Sequence, residues 1–219
     1  NNGTEQTKID LNNLGFSSRI TEDIFSRYQE KSLEVIRKDP YSLATEIRGL
    51  GFKRIDQIAQ GMGISFDDQK RILGAVLTSL YEECYSNGNT YANDKLLLKK
   101  SLQLLEGARS EKVDPEKVAD TIIEAGHKRK IVIEGKRIYP KSLYNSEQEI
   151  AYNLYRLMNN RDEPIEYDED EIDRCLEDVQ AEFSITYGQD QLQAIKDAIK
   201  SPVFLLTGGP GTGKTTILR

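Results

Sequence analysis

The sequence contains few of the residues that disulfide frameworks and metal centres require. Among its 219 residues, only Cys84 and Cys175 are cysteines and only His127 is a histidine. These three residues are far apart along the chain, so we expect neither a disulfide nor a Cys/His metal site. No apolar stretch approaches the roughly 20 residues of a membrane span, and no signal peptide is evident. The sequence therefore predicts a cytoplasmic globular protein that has no structural metal and does not contact a membrane.

The charge of the chain is unevenly distributed. Its formal net charge is −6, which taken alone argues against a nucleic-acid partner. Residues 162–182, however, hold eleven acidic residues against one arginine, so the remainder of the chain is mildly basic. The distribution of charge matters more than its sum for binding a polyanion. We interpret the acidic run as a solvated linker or helix face that self-repulsion keeps extended, with a strand-displacing or DNA-mimicking role as the alternative.

The most informative stretch is LLTGGPGTGKTTILR at residues 205–219. It fits the pattern G-x-x-x-x-G-K-[ST] and follows an apolar run, PVFLLT, that predicts one buried strand. Glycines let backbone N–H groups turn inward around phosphates at the start of a helix. We expect Lys214 to reach the β- and γ-phosphates of ATP and Thr215 to hold Mg²⁺ through its hydroxyl, which makes these two the candidate catalytic residues. The predicted nucleotide contacts are Gly208, Gly209, Pro210, Gly211, Thr212, Gly213, Lys214, Thr215 and Thr216.

Phosphoryl transfer requires more than this loop. It also needs an acidic Mg²⁺ partner from a later strand and a group that orients the attacking water. A lone strand with its loop cannot bury both of its faces, because parallel sheets are covered by helices on both sides. We therefore expect a fragment that ends at the front edge of a motor domain and does not hydrolyse ATP by itself.

Residues 38–63, KDPYSLATEIRGLGFKRIDQIAQGMG, predict two helices joined by a glycine hairpin. Asp39 can cap the first helix, with Pro40 at its first position, and a second helix is expected over about 53–60. Such a helix-hairpin-helix lets backbone N–H groups approach a DNA phosphate without an intervening Cβ, and this contact is independent of base sequence. The predicted DNA contacts are Gly49, Leu50, Gly51, Lys53 and Arg54.

The same pattern occurs 34 residues earlier, in GFSSRITEDIFSRY at residues 15–28. Gly15 aligns with Gly49, whereas Ser17 replaces the second glycine. We predict that Gly15 and Ser17 also contact DNA. For both hairpins the alternative is a tight helical hairpin that serves only for packing, with glycine as a helix C-cap.

Residues 66–145 predict helices followed by a two-stranded ribbon, an order that resembles a winged helix. Amphipathic helices are expected over about 67–87 and 93–105 and after Asp114, and KIVIEGKRIYP alternates as a β-hairpin around Glu134-Gly135. The basic residues around this ribbon are Lys128, Arg129, Lys130, Lys136 and Arg137. Two interpretations are open: contacts to DNA phosphates, or a basic, solvated spacer.

Two further helices are predicted before the glycine-rich loop. Ser146 and Glu149 form the pattern of a capping box, and YGQDQLQAIKDAIK at residues 187–200 is amphipathic. A glutamine amide can both donate to and accept from the edge of adenine. By spacing alone, any of three residues could play that part or lie on the surface: Gln189, Gln191 and Gln193.

Taken together, these motifs resemble the N-terminal part of bacterial RecD-like ATP-dependent DNA helicases. LEVIRKDPYSLATEIRGLGFKRIDQIA (33–59) and LLTGGPGTGKTTILR carry most of the resemblance. It implies a superfamily-one motor that moves 5′ to 3′ on single-stranded DNA, uses ATP and Mg²⁺, and acts in repair or recombination. It also implies that Gln191 reads adenine. Ser17 departs from the hairpin pattern of the family.

The resulting prediction is a mainly α fold, monomeric, with single-stranded or duplex DNA and ATP as partners. It combines a tandem helix-hairpin-helix region (1–65), a winged-helix-like region with a β-hairpin (66–145), a helix and acidic linker (146–185), and the start of an α/β P-loop, RecA-like motor domain (186–219). Two other functions fit the motifs. One is a non-catalytic adaptor that binds DNA junctions and holds nucleotide, and the other is a different P-loop ATPase of DNA repair.

Overall fold

The computed structural model describes residues 2–159 and 166–218. The chain divides into two compact units, residues 1–145 and 146–219. The mainly helical fold that the sequence predicts is confirmed. The finer division of each unit into domains stays a prediction. Within the described ranges, no helix is long and apolar enough to cross a bilayer.

The first unit is built from helices and one small sheet. A 3₁₀ turn precedes α3 and another precedes α4, and a π-helical turn, Glu82–Ser86, extends α6. Its helices are α1 (Asn2–Asn13), α2 (Ser18–Tyr28), α3 (Ser32–Lys38), α4 (Leu43–Glu46), α5 (Phe52–Gly61), α6 (Gln69–Tyr81), α7 (Asp94–Ala108) and α8 (Pro115–His127). Its strands are β1 (Ala92–Asn93), β2 (Ile131–Glu134) and β3 (Arg137–Pro140).

Side-chain caps start the predicted helical segments where the sequence places them. The carboxylate of Asp39 accepts from the backbone N–H of Tyr41 at 3.0 Å, with Pro40 in the first position of the 3₁₀ turn that leads into α4. Asp114 caps α8 in the same way, accepting from the N–H of Glu116 at 3.0 Å. Each cap satisfies an N–H that the helix itself leaves without a partner.

Helix α6, strand β1, helices α7 and α8, and the β2–β3 ribbon follow one another in the order of a winged helix. The three strands form one antiparallel sheet in the order β1-β3-β2. Ala92 of β1 pairs with Ile138 of β3, and Glu134 pairs with Arg137 across the turn of the ribbon. Gly135 in that turn has φ +59°, which glycine adopts without steric cost. The winged-helix-like arrangement predicted from the sequence is therefore present.

A buried ion cluster joins the second hairpin region to the winged-helix-like region. The side chains of Asp56 and Arg71 are 1% and 0% exposed. The Asp56 carboxylate accepts from Arg71 Nε at 2.9 Å, from Arg109 Nη2 at 2.9 Å and from the hydroxyl of Tyr41 at 2.6 Å. Among the described residues, no buried side-chain nitrogen or oxygen lacks a hydrogen-bond partner. The two regions therefore form one unit, and their polar core is fully paired.

The second unit holds the predicted helices, with one different start. Its helices are α9 (Lys141–Asn159, which begins in the first unit), α10 (Glu169–Phe183), α11 (Gln189–Lys200) and α12 (Lys214–Ile217). Because α9 starts directly after β3, Ser146 and Glu149 lie inside the helix and the predicted capping box at its start is wrong. Residues 141–146 contain no glycine or proline, so nothing delays the helix until Ser146.

The acidic run is a helix over residues 169–182, so of the two predicted forms the helix face is found there and the extended linker is not. Asp168 caps α10 by accepting from the N–H of Asp170 at 3.0 Å, and Ile172 and Leu176 are buried one turn apart. Ion pairs from α10 to Lys196 and Lys200 of α11 offset part of the repulsion among the exposed carboxylates. Residues 162–165 of the run lie outside the described residues.

The strand predicted over residues 202–207 does not form. The segment has no strand pairing, and Leu205 is 84% exposed. A strand is stabilised by ladder hydrogen bonds to a neighbour. In the part of the chain that is described, the strands all belong to the sheet of the first unit. The apolar run is therefore not paired as a strand.

We expect Asp56→Asn to destabilise the first unit severely. The change removes the negative charge between two buried guanidinium groups and keeps the size of the side chain. Breaking a buried ion pair in this way costs about 3–5 kcal/mol. Urea unfolding followed by circular dichroism measures the loss in the free energy of unfolding.

The matched control is Asp120→Asn, which neutralises an exposed aspartate on α8. It should change the free energy of unfolding by no more than about 0.5 kcal/mol. Equal effects of the two substitutions would contradict a structural role for the ion cluster.

Candidate functional site

The glycine-rich loop between residue 207 and α12 is shaped by left-handed backbone. Gly211 has φ +80° and Gly213 has φ +79°, values that side-chain-bearing residues rarely adopt. Gly213 is also the N-cap residue of α12, which begins at Lys214. The two glycines therefore let the chain curl back and enter the helix within a few residues.

Close packing inside the loop requires glycine at another position. A Cβ placed on Gly208 would lie 2.7 Å from the hydroxyl oxygen of Thr212. That hydroxyl donates to the carbonyl of Gly209 at 2.8 Å, which ties the two ends of the loop together. A side chain at residue 208 would therefore break this internal bond. Around Gly209 and Gly211 the space where a Cβ would lie is open.

Lys214 folds back over the loop. Its ammonium donates to the carbonyls of Gly208 and Gly209, the latter at 2.7 Å. The loop therefore holds a positive charge against its own backbone, next to first-turn N–H groups that have no acceptor within α12. Thr215, the predicted Mg²⁺ contact, is exposed to solvent. This donor set suits a phosphate chain with its metal ion.

Gln191 is the predicted adenine-reading glutamine, and it lies beside the loop. Its side-chain amide nitrogen occupies the place that a Cβ on Gly213 would need. Its amide oxygen accepts from the backbone N–H of Gly188 at 2.9 Å and so caps α11. Gln193 instead donates to Asp197 at 2.8 Å on the exposed side of the same helix. The structure thus separates two glutamines that spacing alone could not, while the adenine role of Gln191 stays a prediction.

Tyr187 supports the loop, and the sequence reasoning missed it. The side chain is buried, and its hydroxyl donates to the carbonyl of Thr216 in α12 at 3.4 Å. Its backbone N–H donates to the side-chain oxygen of Gln180 in α10 at 2.8 Å. Tyr187 therefore links α10 to the helix that follows the loop. The signal available was an aromatic residue directly before the helix-starting Gly188.

The two glycine hairpins have matching backbone geometry. Gly15 has φ +102° and Gly49 has φ +83°. Two residues later, Ser17 and Gly51 are the N-caps of α2 and α5, with extended φ/ψ of −70°/158° and −74°/152°. The side chain of Ser17 accepts from the N–H of Ile20, a cap that Gly51 cannot make. The serine therefore preserves the hairpin geometry and satisfies one helix N–H in addition.

The two hairpins meet at one surface depression. It has a volume of about 450 Å³. Its lining includes Gly15, Phe16, Ser17, Gly49, Leu50 and Gly51. Six of the seven predicted DNA-contacting residues therefore line one depression, and Lys53 is the one that does not.

Arg54 holds the hairpins together, a role that the sequence reasoning did not foresee. Its Nη2 donates to the carbonyl of Gly15, and its Nη1 donates to the side-chain oxygen of Gln57 at 3.2 Å. Lys53 is exposed and makes no ion pair among the described residues. Of the two basic residues predicted to contact DNA, Lys53 is therefore the one without a charged partner among the described residues. Because Arg54 also holds the fold, a double substitution of Lys53 and Arg54 could not separate a loss of DNA binding from a loss of stability.

Comparison with known families adds two matches to this geometry. Residues 1–91 match the family model of the ATP-dependent RecD2 DNA helicase HHH domain. Residues 191–219 match the family model of the AAA domain. The first match spans both hairpins, and the second begins at Gln191 and includes the glycine-rich loop.

We expect Arg54→Ala to loosen the paired hairpins. The substitution removes the hydrogen bond that joins α5 to the first hairpin. The free energy of unfolding should fall by about 1 kcal/mol, the value of a charged hydrogen bond reduced for its exposure. Urea unfolding measures it, with Lys53→Ala as the neighbouring control, which should have little effect. A loss no larger than that of the control would show that the hairpins do not need this contact.

Proposed function

Both matches support a RecD-like helicase, and on that premise we propose an ATP-dependent DNA helicase that moves 5′ to 3′ on single-stranded DNA in repair or recombination. The family matches support the coarser statement, a helicase-type ATPase with DNA-binding and nucleotide-binding parts. The direction of movement, the repair role, and a cytoplasmic monomer as the acting form belong to the proposal.

The paired hairpins carry the DNA half of the proposal. Two glycine turns with the same backbone conformation line one depression, and Lys53 stands free beside them. Backbone N–H groups without a nearby Cβ suit phosphate oxygens, whereas base edges are read by side chains that reach into a groove. We therefore propose that the hairpins contact the DNA backbone independently of sequence.

The glycine-rich loop carries the nucleotide half. Bound ATP would supply the phosphoryl group whose transfer drives movement, and Mg²⁺ would neutralise charge on its phosphates. In that complex, Lys214 would leave the carbonyls of its own loop and hold the β- and γ-phosphates, and Thr215 would hold Mg²⁺ through its hydroxyl. Gln191, already beside Gly213, has an amide that can pair with the adenine edge.

We also propose that residues 1–219 alone bind nucleotide without hydrolysing it. Hydrolysis requires a carboxylate that holds Mg²⁺ and a group that orients water. The ion pairs found within residues 166–218 join α10 to α11, and none involves Lys214. The loop thus has its phosphate-binding donors, but no carboxylate pairs with its lysine there.

We predict that Lys53→Glu weakens DNA binding. Loss of one phosphate contact lowers the slope of log K against log salt by about 0.9, which is roughly tenfold in affinity at 0.1 M salt. Fluorescence anisotropy with two duplexes of unrelated sequence, titrated at several salt concentrations, measures both quantities. The two duplexes should give the same result.

The matched control is Lys112→Glu, in the loop between α7 and α8. Lys112 is exposed and has no ion pair among the described residues. Its reversal should lower affinity less than Lys53→Glu does. Equal losses, or a strong preference for one duplex, would refute backbone contact by the hairpins.

We predict that Lys214→Ala removes most nucleotide affinity. A charge-assisted hydrogen bond contributes about 1.5–3 kcal/mol, so binding of a fluorescent ATP analogue should weaken about 10- to 100-fold. Titration of the analogue in the presence of Mg²⁺ measures the change. Phosphate release from ATP should be undetectable for the chain with or without the substitution.

The two glutamines of α11 provide a matched pair for base recognition. Gln191→Ala should reduce the preference for ATP over GTP, whereas Gln193→Ala should leave it unchanged. If both variants behave alike, Gln191 does not read the base. If Lys214→Ala retains full affinity, the loop is not the nucleotide site.

A further inference from the structure

A second basic site lies away from the paired hairpins. It is a cleft of about 350 Å³ in the first unit, which we name the lysine cleft. Its lysines come from the end of α3, the start of α6, and the segment between α8 and β2. They are Lys38, Lys70, Lys128 and Lys130. Residues that are distant in sequence therefore bring four ammonium groups to one surface.

The carboxylates in the lysine cleft are already engaged by protein donors. Glu124 accepts from Gln69 and pairs with Lys128 at 2.5 Å. Asp39 accepts from the backbone N–H of Tyr41 at 3.0 Å, and burial raises the pKa of its carboxyl. Neither acid forms an ion pair with Lys38 or Lys130. The four lysines of the cleft therefore exceed its two carboxylates by two formal positive charges.

Helix-end electrostatics accounts for only part of this cluster. Lys38 is the last residue of α3 and Lys128 directly follows α8, and a positive charge is favourable at both positions. Lys70, however, lies in the first turn of α6, where it is unfavourable, and its ammonium donates to the carbonyl of Lys38 at 2.8 Å. The fold thus brings like charges together against their repulsion, which a bound polyanion would relieve.

We infer that the lysine cleft is a second contact site for the phosphate backbone of DNA, separate from the paired hairpins. This inference rests on one part of the proposed function, which is that the chain binds DNA. Of the five basic residues around the ribbon, Lys128 and Lys130 belong to the cleft, while Arg137 lies over the ring of Tyr91 at 5.2 Å. On this inference, the segment between α8 and β2 contacts DNA, and a contact from the tip of the ribbon is not required.

The test is the double substitution Lys38→Ala/Lys130→Ala. These two lysines have no ion pair among the described residues, so their removal leaves no carboxylate unpaired. Anisotropy titrations with a labelled duplex over a range of salt should show the slope of log K against log salt falling by about 0.9 for each lost contact. Affinity at 0.1 M salt should fall roughly tenfold for each lysine. Circular dichroism verifies that the variant keeps its fold.

The control is Lys99→Ala/Lys112→Ala, which removes the same charge from exposed positions outside the cleft. A slope that changes as much in the control would reduce the effect to net charge and overturn the inference. The inference would also be overturned if the cleft variant kept an unchanged slope of log K against log salt while Lys53→Glu still weakened binding. In that case the proposed function would stand. If the unsubstituted chain binds no DNA, both fall together.

Inorganic phosphate distinguishes a small-anion site from a DNA contact. The inference predicts no thermal stabilisation by phosphate at concentrations where duplex DNA already binds. If phosphate alone raises the melting temperature and the double substitution removes that rise without changing the DNA slope, the cleft binds small anions and the DNA assignment is wrong.

Discussion

The carboxylate of Asp56 is the group on which the first unit depends. A buried charge is tolerated only if it is paired and hydrogen-bonded, and this one accepts from Tyr41, Arg71 and Arg109. Burial raises its pKa, but these hydrogen bonds outweigh burial and hold the pKa below the ordinary value. Its contribution to stability is therefore complete above the unfolded-state pKa of about 3.9 and is lost as the pH falls through the native value.

Helix α5 connects this buried cluster to the depression between the two hairpins. Asp56 fixes the middle of the helix to α6 and to the end of α7, whereas Arg54, two residues earlier, fixes its first turn to the carbonyl of Gly15. The same short helix thus sets the spacing of both glycine turns. The left-handed glycines give each hairpin its shape, and the polar contacts of α5 fix the position of one hairpin relative to the other.

Local signals in the sequence predicted local structure well, but they did not predict tertiary contacts. Asp39 and Asp114 cap where predicted because a cap needs only its own next few residues. The prediction of a strand over 202–207 was wrong because a strand needs a second strand to pair with, and the local sequence cannot supply one. Arg54 and Tyr187 bond to Gly15 and Thr216, which lie 39 and 29 residues away along the chain. The residues next to Arg54 and Tyr187 in the sequence do not indicate these partners.

Segregation of charge lets a chain of net charge −6 present basic surfaces. Its acids are concentrated on α10, where Ile172 and Leu176 anchor the helix and pairs to Lys196 and Lys200 relieve part of the repulsion. The second unit therefore carries the net negative charge, while the 23 basic and 21 acidic residues of the first unit leave that unit mildly positive. The first unit is then free to collect lysines, beside the hairpins and in the cleft. Screening over about 10 Å at 0.1 M salt makes the local charge of each surface, and not the total, decide which partner it attracts.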